Sequence, residues 1–375
     1  MLQWVAQIVS AALVVAFLVF FVRNVLRAAQ VRGLSLSFDF MSQAAGFDLP
    51  ESPISYTPAD SFGRAFLAGL LNTAKVAVVG VVLATIVGTM AALARLSSNW
   101  LVARLASVYI ESIRNVPLLV QLFFWYFAVY QQLPPVRESI VWPGPIYLSQ
   151  RGLYTVAPVP TANLLTWLGF VAAGLILAVA AHVVLMRRQM RTGQDTHYAL
   201  ISFLLLVALP AAGWFLVGDP PLLTDEPVLG KFNFTGGLRL TPEFAALLTG
   251  LVVYTGAFTA EVVRAGIMAV SRGQFDAARA LGLSSGQTLR LVVMPQALRV
   301  IIPPLISQYL NLTKNSSLAV AIGYPDVFFV GRTVINQAGR AVPVFAMVMA
   351  VYLVASLATS ALMNVVNKRI QLVER

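Results

Sequence analysis

Residues 66–93, FLAGLLNTAKVAVVGVVLATIVGTMAAL, run for 28 positions with Lys75 as their one charge. The hydrocarbon core of a bilayer is roughly 30 Å thick and takes about 20 mostly apolar helical residues, because each peptide group there must find its hydrogen bond within its own segment. This stretch reads as a membrane-spanning helix. Seven others meet the same test: Trp4 to Val22, Leu105 to Tyr130, Leu164 to Met186, Tyr198 to Val217, Phe244 to Met268, Leu298 to Leu318 and Val344 to Val365. An all-α integral membrane protein of about eight transmembrane helices is expected, and an even count puts both termini on one side.

The rest of the composition agrees. Of the 375 residues 58% are hydrophobic and 11% charged, far from the soluble norm of about half and a quarter. The apolar runs recur with no long polar linker, so the spans are read as one bundle. The net charge of +11 is not a nucleic-acid footprint, because the basic residues sit singly or in pairs at the edges of apolar runs. They suit loops beside anionic lipid. Absence of cysteine rules out disulfides and thiolate metal sites. His182 and His197 alone give little material for a metal site or a Ser-His-Asp triad, and both are read as interfacial side chains.

Basic residues also orient the chain. Arg95 and Arg104, then Arg187, Arg188 and Arg191, then Arg264, Arg272, Arg279 and Arg290, then Lys368, Arg369 and Arg375 occupy four regions that fall on one side if all eight segments cross. By the positive-inside rule that side is cytoplasmic. The connections around Pro134 to Pro160 and Gly218 to Pro242 then face the periplasm. Arg23, Arg27 and Arg32 oppose this scheme, but their long loop also carries Asp39, Asp48, Glu51 and Asp60, and long loops follow the rule poorly. The first segment is expected to be a span; a signal peptide is the alternative, which a missing positive n-region and the want of a clear small-residue cleavage site disfavour.

After the sixth segment the chain reads GQFDAARALGL, residues 273–283, and then VVMPQA, residues 292–297. A short amphipathic helix is expected, with Phe275, Ala278, Leu281 and Leu283 on one side and Asp276, Arg279 and Arg290 on the other. Gly282 can close it in the left-handed conformation, and Pro295 restarts the chain toward the seventh segment. Such an elbow can act as a lever by docking Ala277 and Ala278 in a groove of a cytoplasmic protein. On physics alone it can equally rest on lipid headgroups.

The stretch resembles the EAA loop of ABC importer permeases, with Asp276 where that family usually has Glu and Met294-Pro295 where it usually has Leu-Pro. LNT at 71–73, YIESIRNVPLLVQ at 109–121, AEVVRAGI at 260–267 and NLTKNSSL at 311–318 look like the polar amino-acid branch. The N-terminal extension, the extra pair of segments after Leu133 and the ending NKRIQL at 367–372 are most similar to the general L-amino-acid permease subgroup. The resemblance implies a five-helix type I importer core built from the second, third, sixth, seventh and eighth segments, with a cytoplasmic coupling helix. Expected divisions are 1–64 (first helix and periplasmic loop), 65–132 (first part of the core), 133–242 (insertion with two extra helices) and 243–375 (second part of the core with the coupling loop). It assigns coupling to Asp276, Ala277, Ala278, Arg279, Gly282 and Pro295.

Charges inside apolar segments normally face a protein interior or a wet path, since each costs about 2.5–3.5 kcal/mol at mid-bilayer on insertion scales. The candidates are Lys75, Glu111, Arg114, Glu261 and Lys314. Glu111 with Arg114, and Glu261 with Arg264, are spaced i, i+3 and can neutralise each other on their own helix faces. Asn311, Lys314, Asn315 and Ser316 build a polar stripe. Its donors and acceptors suit a zwitterionic substrate, or else hydrogen bonding between helices.

No phosphate-binding Gly-x-x-x-x-Gly-Lys-Ser/Thr loop is present, so the chain is expected to be a transport subunit with no ATP site of its own. Implied partners are a cytoplasmic ABC ATPase dimer that consumes ATP, a second permease chain (paralogous or identical), a periplasmic amino-acid-binding protein and membrane lipid, with no nucleic acid and no metal. The expected setting is a bacterial inner membrane with a cytoplasmic C-terminus. A secondary, ion-coupled amino-acid transporter is the alternative, since it too buries charges in a helical bundle.

Overall fold

The computed structural model describes residues 2–31 and 37–370. Arg32, Arg375, Gln371 and Leu372 lie outside the described residues, as do the side chains of Lys368 and Arg369. Contacts divide the chain into two units, residues 1–131 with 241–375, and residues 132–240.

In the first unit α1 (Leu2–Val31) is a single helix longer than the expected span, and its described side chains are exposed. The segment after it folds back on itself, with Ala45 and Gly46 donating to the carbonyls of Asp60 and Pro58. Phe40, Ala45 and Leu49 are thereby buried against Phe62, Ala65 and Phe66 at the start of α2 (Phe62–Arg95). Ser61 caps α2 by accepting from the Arg64 amide at 3.3 Å, one of the first-turn donors that lacks a helical partner.

The third expected span is where structure and sequence part. Leu105 to Tyr130 is not one helix: α3 (Trp100–Asn115) and α4 (Leu118–Phe123, continued by π-helix through Val129) are bent by 107°. Pro117 is the cause. It has no amide hydrogen, and it forces Val116 into extended backbone (φ −105°, ψ 129°), where no helix can continue. Seven helices are long and apolar enough to cross a membrane among the described residues, and the bent pair makes eight if it forms one span.

α7 (Pro242–Met268) lies along α2 and against α10 (Met294–Asn315). Small residues permit the approach: a Cβ on Gly88 would come within 2.6 Å of Thr259, and one on Gly266 within 2.2 Å of Ile301. Membrane helices pack by such contacts, because lipid offers apolar side chains as good an environment as protein does. Between α7 and α10 come α8 (Arg272–Ala280) and α9 (Ser285–Gln287), the latter running through a π-turn at Thr288–Val293 into α10. The π-turn lies just ahead of Pro295, whose missing donor interrupts the i→i−4 ladder. The span therefore starts earlier than expected, at Ser285, and ends at Ala321. α11 (Val327–Ala338) and α12 (Ala341–Ile370) complete the unit.

Among the described residues, two apolar clusters hold it. One joins Phe40, Ala65, Phe66, Val327, Val330 and Val348; the other joins Ala92, Ile110, Val263, Val293, Ile301 and Tyr309.

The second unit pairs α5 (Leu164–Thr192) with α6 (Tyr198–Leu216). Gly213 lets α6 approach Phe170, where a Cβ would meet the ring at 2.6 Å, and Trp167 donates to the Pro210 carbonyl at 3.0 Å. That carbonyl's neighbour ring, Pro210, interrupts α6 without ending it. The flanking connections, read from sequence only as Pro- and Trp-containing loops, are strands. β1 (Ile140–Trp142), β2 (Ile146–Ser149), β3 (Gly152–Thr155) and β8 (Leu238–Leu240) form an antiparallel sheet in that order. β4 (Ala157–Pro160) pairs with β5 (Leu222–Asp225), and β6 (Val228–Leu229) with β7 (Phe234–Thr235).

Candidate functional site: an elbow, an ionic cluster and a polar stripe

The elbow forms as the sequence suggests, with a different outward face. α8 ends at Ala280 with Leu281 as its C-cap, after which Gly282 adopts φ +74° and donates to the Arg279 carbonyl at 2.9 Å, while Leu283 donates to the Ala278 carbonyl at 3.1 Å. This pair of bonds is the Schellman closure, which satisfies carbonyls that the helix end would orphan. Phe275, Ala278 and Leu283 turn inward, with Ala278 at 2% exposure. Ala278 therefore packs on its own chain, not in a partner's groove, because the i, i+3 face that carries Phe275 is needed to seat α8 on the bundle. Leu281 corrects the helical-wheel reading: the turn into Gly282 takes it off the apolar face, and it stands 79% exposed beside Ala277 and Ala280. Asp276 lies mid-helix, so Ser271 is the N-cap and the acid is not. A hollow of about 300 Å³ separates elbow from bundle, lined by Leu93, Leu96, Ile267, Phe275, Arg279 and Leu283.

Next to it lies an ionic cluster. Arg95, from the end of α2, donates to Glu261 at 2.8 Å and to Glu111 at 3.0 Å. Arg264 donates to Glu261 through Nε at 3.0 Å and again through Nη2. The i, i+3 expectation thus holds for Glu261 with Arg264 and fails for Glu111 with Arg114. Glu111 crosses to another helix because Arg95 offers it a partner that also ties down α7. Arg114 makes no direct ion pair among the described residues, though it is near enough to Glu261 to interact with its charge, and its guanidinium lies 5.1 Å from the Phe258 ring, within cation–π range. It opens on a cleft of about 320 Å³ lined also by Glu261, Phe258, Val300, Pro304 and Gln308.

α10 continues from that cleft as an exposed polar face. Gln308 is half-buried, Asn311 and Lys314 are exposed and Asn315 half-buried, at steps of three or four. Ser316 is not part of it. That side chain is wholly buried and donates to the Thr313 carbonyl at 2.8 Å, because the helix tightens to 3₁₀ geometry at Ser316–Ala321 and rotates it inward.

At the far end of α2 the partner of Lys75 is Glu51, at 2.5 Å. Glu51 also accepts from the Thr241 hydroxyl, and its backbone carbonyl accepts from Asn72 at 3.0 Å. Asn72 donates as well to the Pro325 carbonyl at 3.0 Å. One residue of the folded N-terminal segment thus ties α2 to the start of α7 and, through Asn72, to the turn before α11. In that turn Asp326 is wholly buried, caps α11 by accepting from the Phe329 amide at 2.8 Å, and accepts from the Tyr352 hydroxyl at 3.1 Å. Burial outweighs those bonds and pushes its carboxyl up to about 6, since a charge without solvent is disfavoured.

The family model for the "binding-protein-dependent transport system inner membrane component" matches residues 197–372. The putative amino-acid ABC transporter permease protein YhdX of Escherichia coli (strain K12) is 46% identical over 374 residues, 99% of this chain and 95% of its own. The chain belongs to the ABC transporter permease family. The general L-amino acid transport system permease protein AapQ of Rhizobium johnstonii is 43% identical over 373 residues, covering 98% of this chain and 92% of that one. The glutamate/glutamine/aspartate/asparagine transport system permease protein BztB of Rhodobacter capsulatus is 39% identical over 401 residues, with shares of 98% and 93%. Nothing in these likenesses supports the ion-coupled alternative.

Within this permease, sequence reasoning missed Arg95, Gln308, Glu51, Thr241 and Asp326. Lys75 held the one usable signal. A lysine in an apolar helix with no acid at i±3 or i±4 demands a partner from elsewhere, and the acids of the adjoining loop were at hand.

Proposed function

We propose that the chain is the membrane subunit of an ABC importer that moves polar L-amino acids from periplasm to cytoplasm by alternating access, with ATP hydrolysed on a separate cytoplasmic ATPase dimer. The observation that carries the reading is α8: a nine-residue helix closed by Gly282 that presents Ala277, Ala280 and Leu281 outward. Small side chains beside one exposed leucine suit a shallow protein groove, and Ala278 with Phe275 transmits the movement to the α7 and α10 cluster. Asp276 and Arg279 are assigned to the rim of the contact, and Pro295 to the start of the helix that receives the motion.

In this scheme the elbow and the C-terminus are cytoplasmic and residues 37–61 periplasmic. Residues 65–132 and 243–375 form the permease core, 1–64 supply an added helix and loop, and 133–242 are an insertion. The pathway runs along Asn311, Lys314 and Asn315 toward Gln308, Arg114, Glu111 and Glu261. A substrate carboxylate meets Lys314 or Arg114, and the ammonium meets amide oxygens of the stripe. The names of the full-length relatives support amino acids as cargo. A second permease chain and a periplasmic amino-acid-binding protein complete the assembly.

Leu281→Ala tests the docking contact with the permease otherwise intact. Co-purification of the ATPase with the variant should fall, since a buried leucine contributes about 1.5–3 kcal/mol. Undiminished ATPase capture and uptake would show that the exposed face of α8 docks nothing.

A further inference from the structure

The cytoplasmic-loop end of α5 carries a feature that transport does not use. Arg187, Arg188 and Arg191 fall on one face of the helix, within about a third of a turn of one another at 100° per residue. With Val184 and Thr192 they line a cavity of about 330 Å³. All three are exposed, and none forms an ion pair among the described residues. The nearest acid in the connection, Asp195, is engaged with the His197 ring at 3.1 Å and with its amide at 3.0 Å.

The same helix face continues upward as Val184, Ala180 and Leu177, all exposed, while Gly174 and Ala178 are buried on the face toward α6. Ala180 is the small residue of this apolar strip, set between the larger Val184 and Leu177. A cavity with three guanidiniums free of ion pairs at the foot of an exposed apolar helix face has the polarity of a phospholipid, head and tail. Guanidinium forks match phosphate oxygens bidentately, and basic pockets on membrane helices recruit acidic headgroups.

We propose that this face of α5 is a binding site for one acidic phospholipid, with the phosphate held by Arg187, Arg188 and Arg191 and an acyl chain laid along Val184, Ala180 and Leu177. The apolar track distinguishes lipid from free phosphate as the occupant. A neutral headgroup brings an ammonium against three arginines and is disfavoured.

The test is native mass spectrometry of the delipidated full chain titrated with phosphatidylglycerol, phosphatidylcholine or inorganic phosphate. Comparison is with the triple variant Arg187→Gln, Arg188→Gln, Arg191→Gln, and with Arg104→Gln, Arg272→Gln, Arg290→Gln as a control that removes as many exposed charges elsewhere. The expected result is one tightly held phosphatidylglycerol, at least tenfold weaker in the triple variant and unchanged in the control, with phosphatidylcholine weaker and inorganic phosphate failing to compete. Equal binding by wild type and triple variant overturns the proposal. So does equal binding of phosphatidylcholine, or competition by inorganic phosphate, which would make it an anion site without a lipid track. Loss of ATPase capture in the triple variant with lipid binding intact would mean that the arginines serve a protein surface instead. Because exposed residues are replaced, retained melting temperature verifies folding, and Arg→Lys at all three positions should restore most of the affinity.

Discussion

Replacing Gly282 separates the geometry of the elbow from its chemistry. At φ +74° a side chain is strained, by about 1–2 kcal/mol for an ordinary residue and up to about 3 kcal/mol for a β-branched one. No heavy atom lies within 4 Å of where the Cβ would stand, so the whole cost is backbone strain and none of it collision. Opposing that strain are the two closing hydrogen bonds, from Gly282 and Leu283, worth about 1 kcal/mol each. The two sides are comparable, so Gly282→Val should open the turn in a large fraction of molecules and tilt Leu281 away from the ATPase contact proposed for it. Gly282→Asn tolerates the left-handed region and should preserve most of it. Measured as ATPase activity coupled to uptake in reconstituted vesicles, the order should be Gly, then Asn, Ala and Val, with Val lower by a factor of about 2–6, the closed fraction left by a net strain of about 0–1 kcal/mol. Equal activity for Val and Gly refutes the argument. Equal loss for Asn and Val refutes it too, since the defect would then track the side chain and not φ.

The buried ends of the molecule give three further expectations. For Asp326, burial raises the folded-state value from 3.8 to about 6, so its contribution is fully present below pH 4 and lost as pH rises through 6, a swing of about 3 kcal/mol. Among the described residues, Tyr352 and Tyr324 are the ionisable groups that interact with it, and neither carries a compensating positive charge. Asp326→Asn should therefore gain in melting temperature over wild type between pH 4 and 7, and a gap that is the same at both pH values contradicts this. Glu51→Ala strands Lys75 in apolar surroundings and should lower stability by about 3 kcal/mol, while Glu51→Ala with Lys75→Met should recover at least half; strict additivity by thermal shift would show the pair is not coupled. Arg95→Ala removes the link between α2 and α7 and should cost about 1–2 kcal/mol, against about 0.5 kcal/mol or less for Glu111→Gln, whose side chain is 61% exposed. Equal destabilisation by the two would put the weight on the wrong arm of the cluster.

How far the sequence spoke depended on the range of the contacts involved. Segment length and apolarity located the long spans, because a bilayer imposes both on each segment separately. Gly282 was legible for a similar reason, since a left-handed helix end is a local requirement with a strong residue preference. Where Pro117 stood inside an apolar run, hydropathy outvoted backbone chemistry and a 107° bend was read as one helix. The three- and four-residue strands of the second unit offer too little alternation to register. Side-chain partners were the least legible. Glu111 and Arg114 satisfied the i, i+3 rule, yet Arg95, 16 residues away from Glu111, claimed the acid. Glu51 reached Lys75 across 24 residues. Spacing along one helix can state which residues share a face, but not what another helix brings to it.

Uptake of a labelled amino acid into proteoliposomes tests the central claim most directly, with this chain reconstituted together with the second permease chain, ATPase and binding protein proposed for it. The account predicts uptake that requires ATP on the elbow side and the binding protein on the other, persists when ion gradients are collapsed, and disappears when the ATPase is omitted. Uptake by this chain without the ATPase, driven by a proton or sodium gradient, would contradict it.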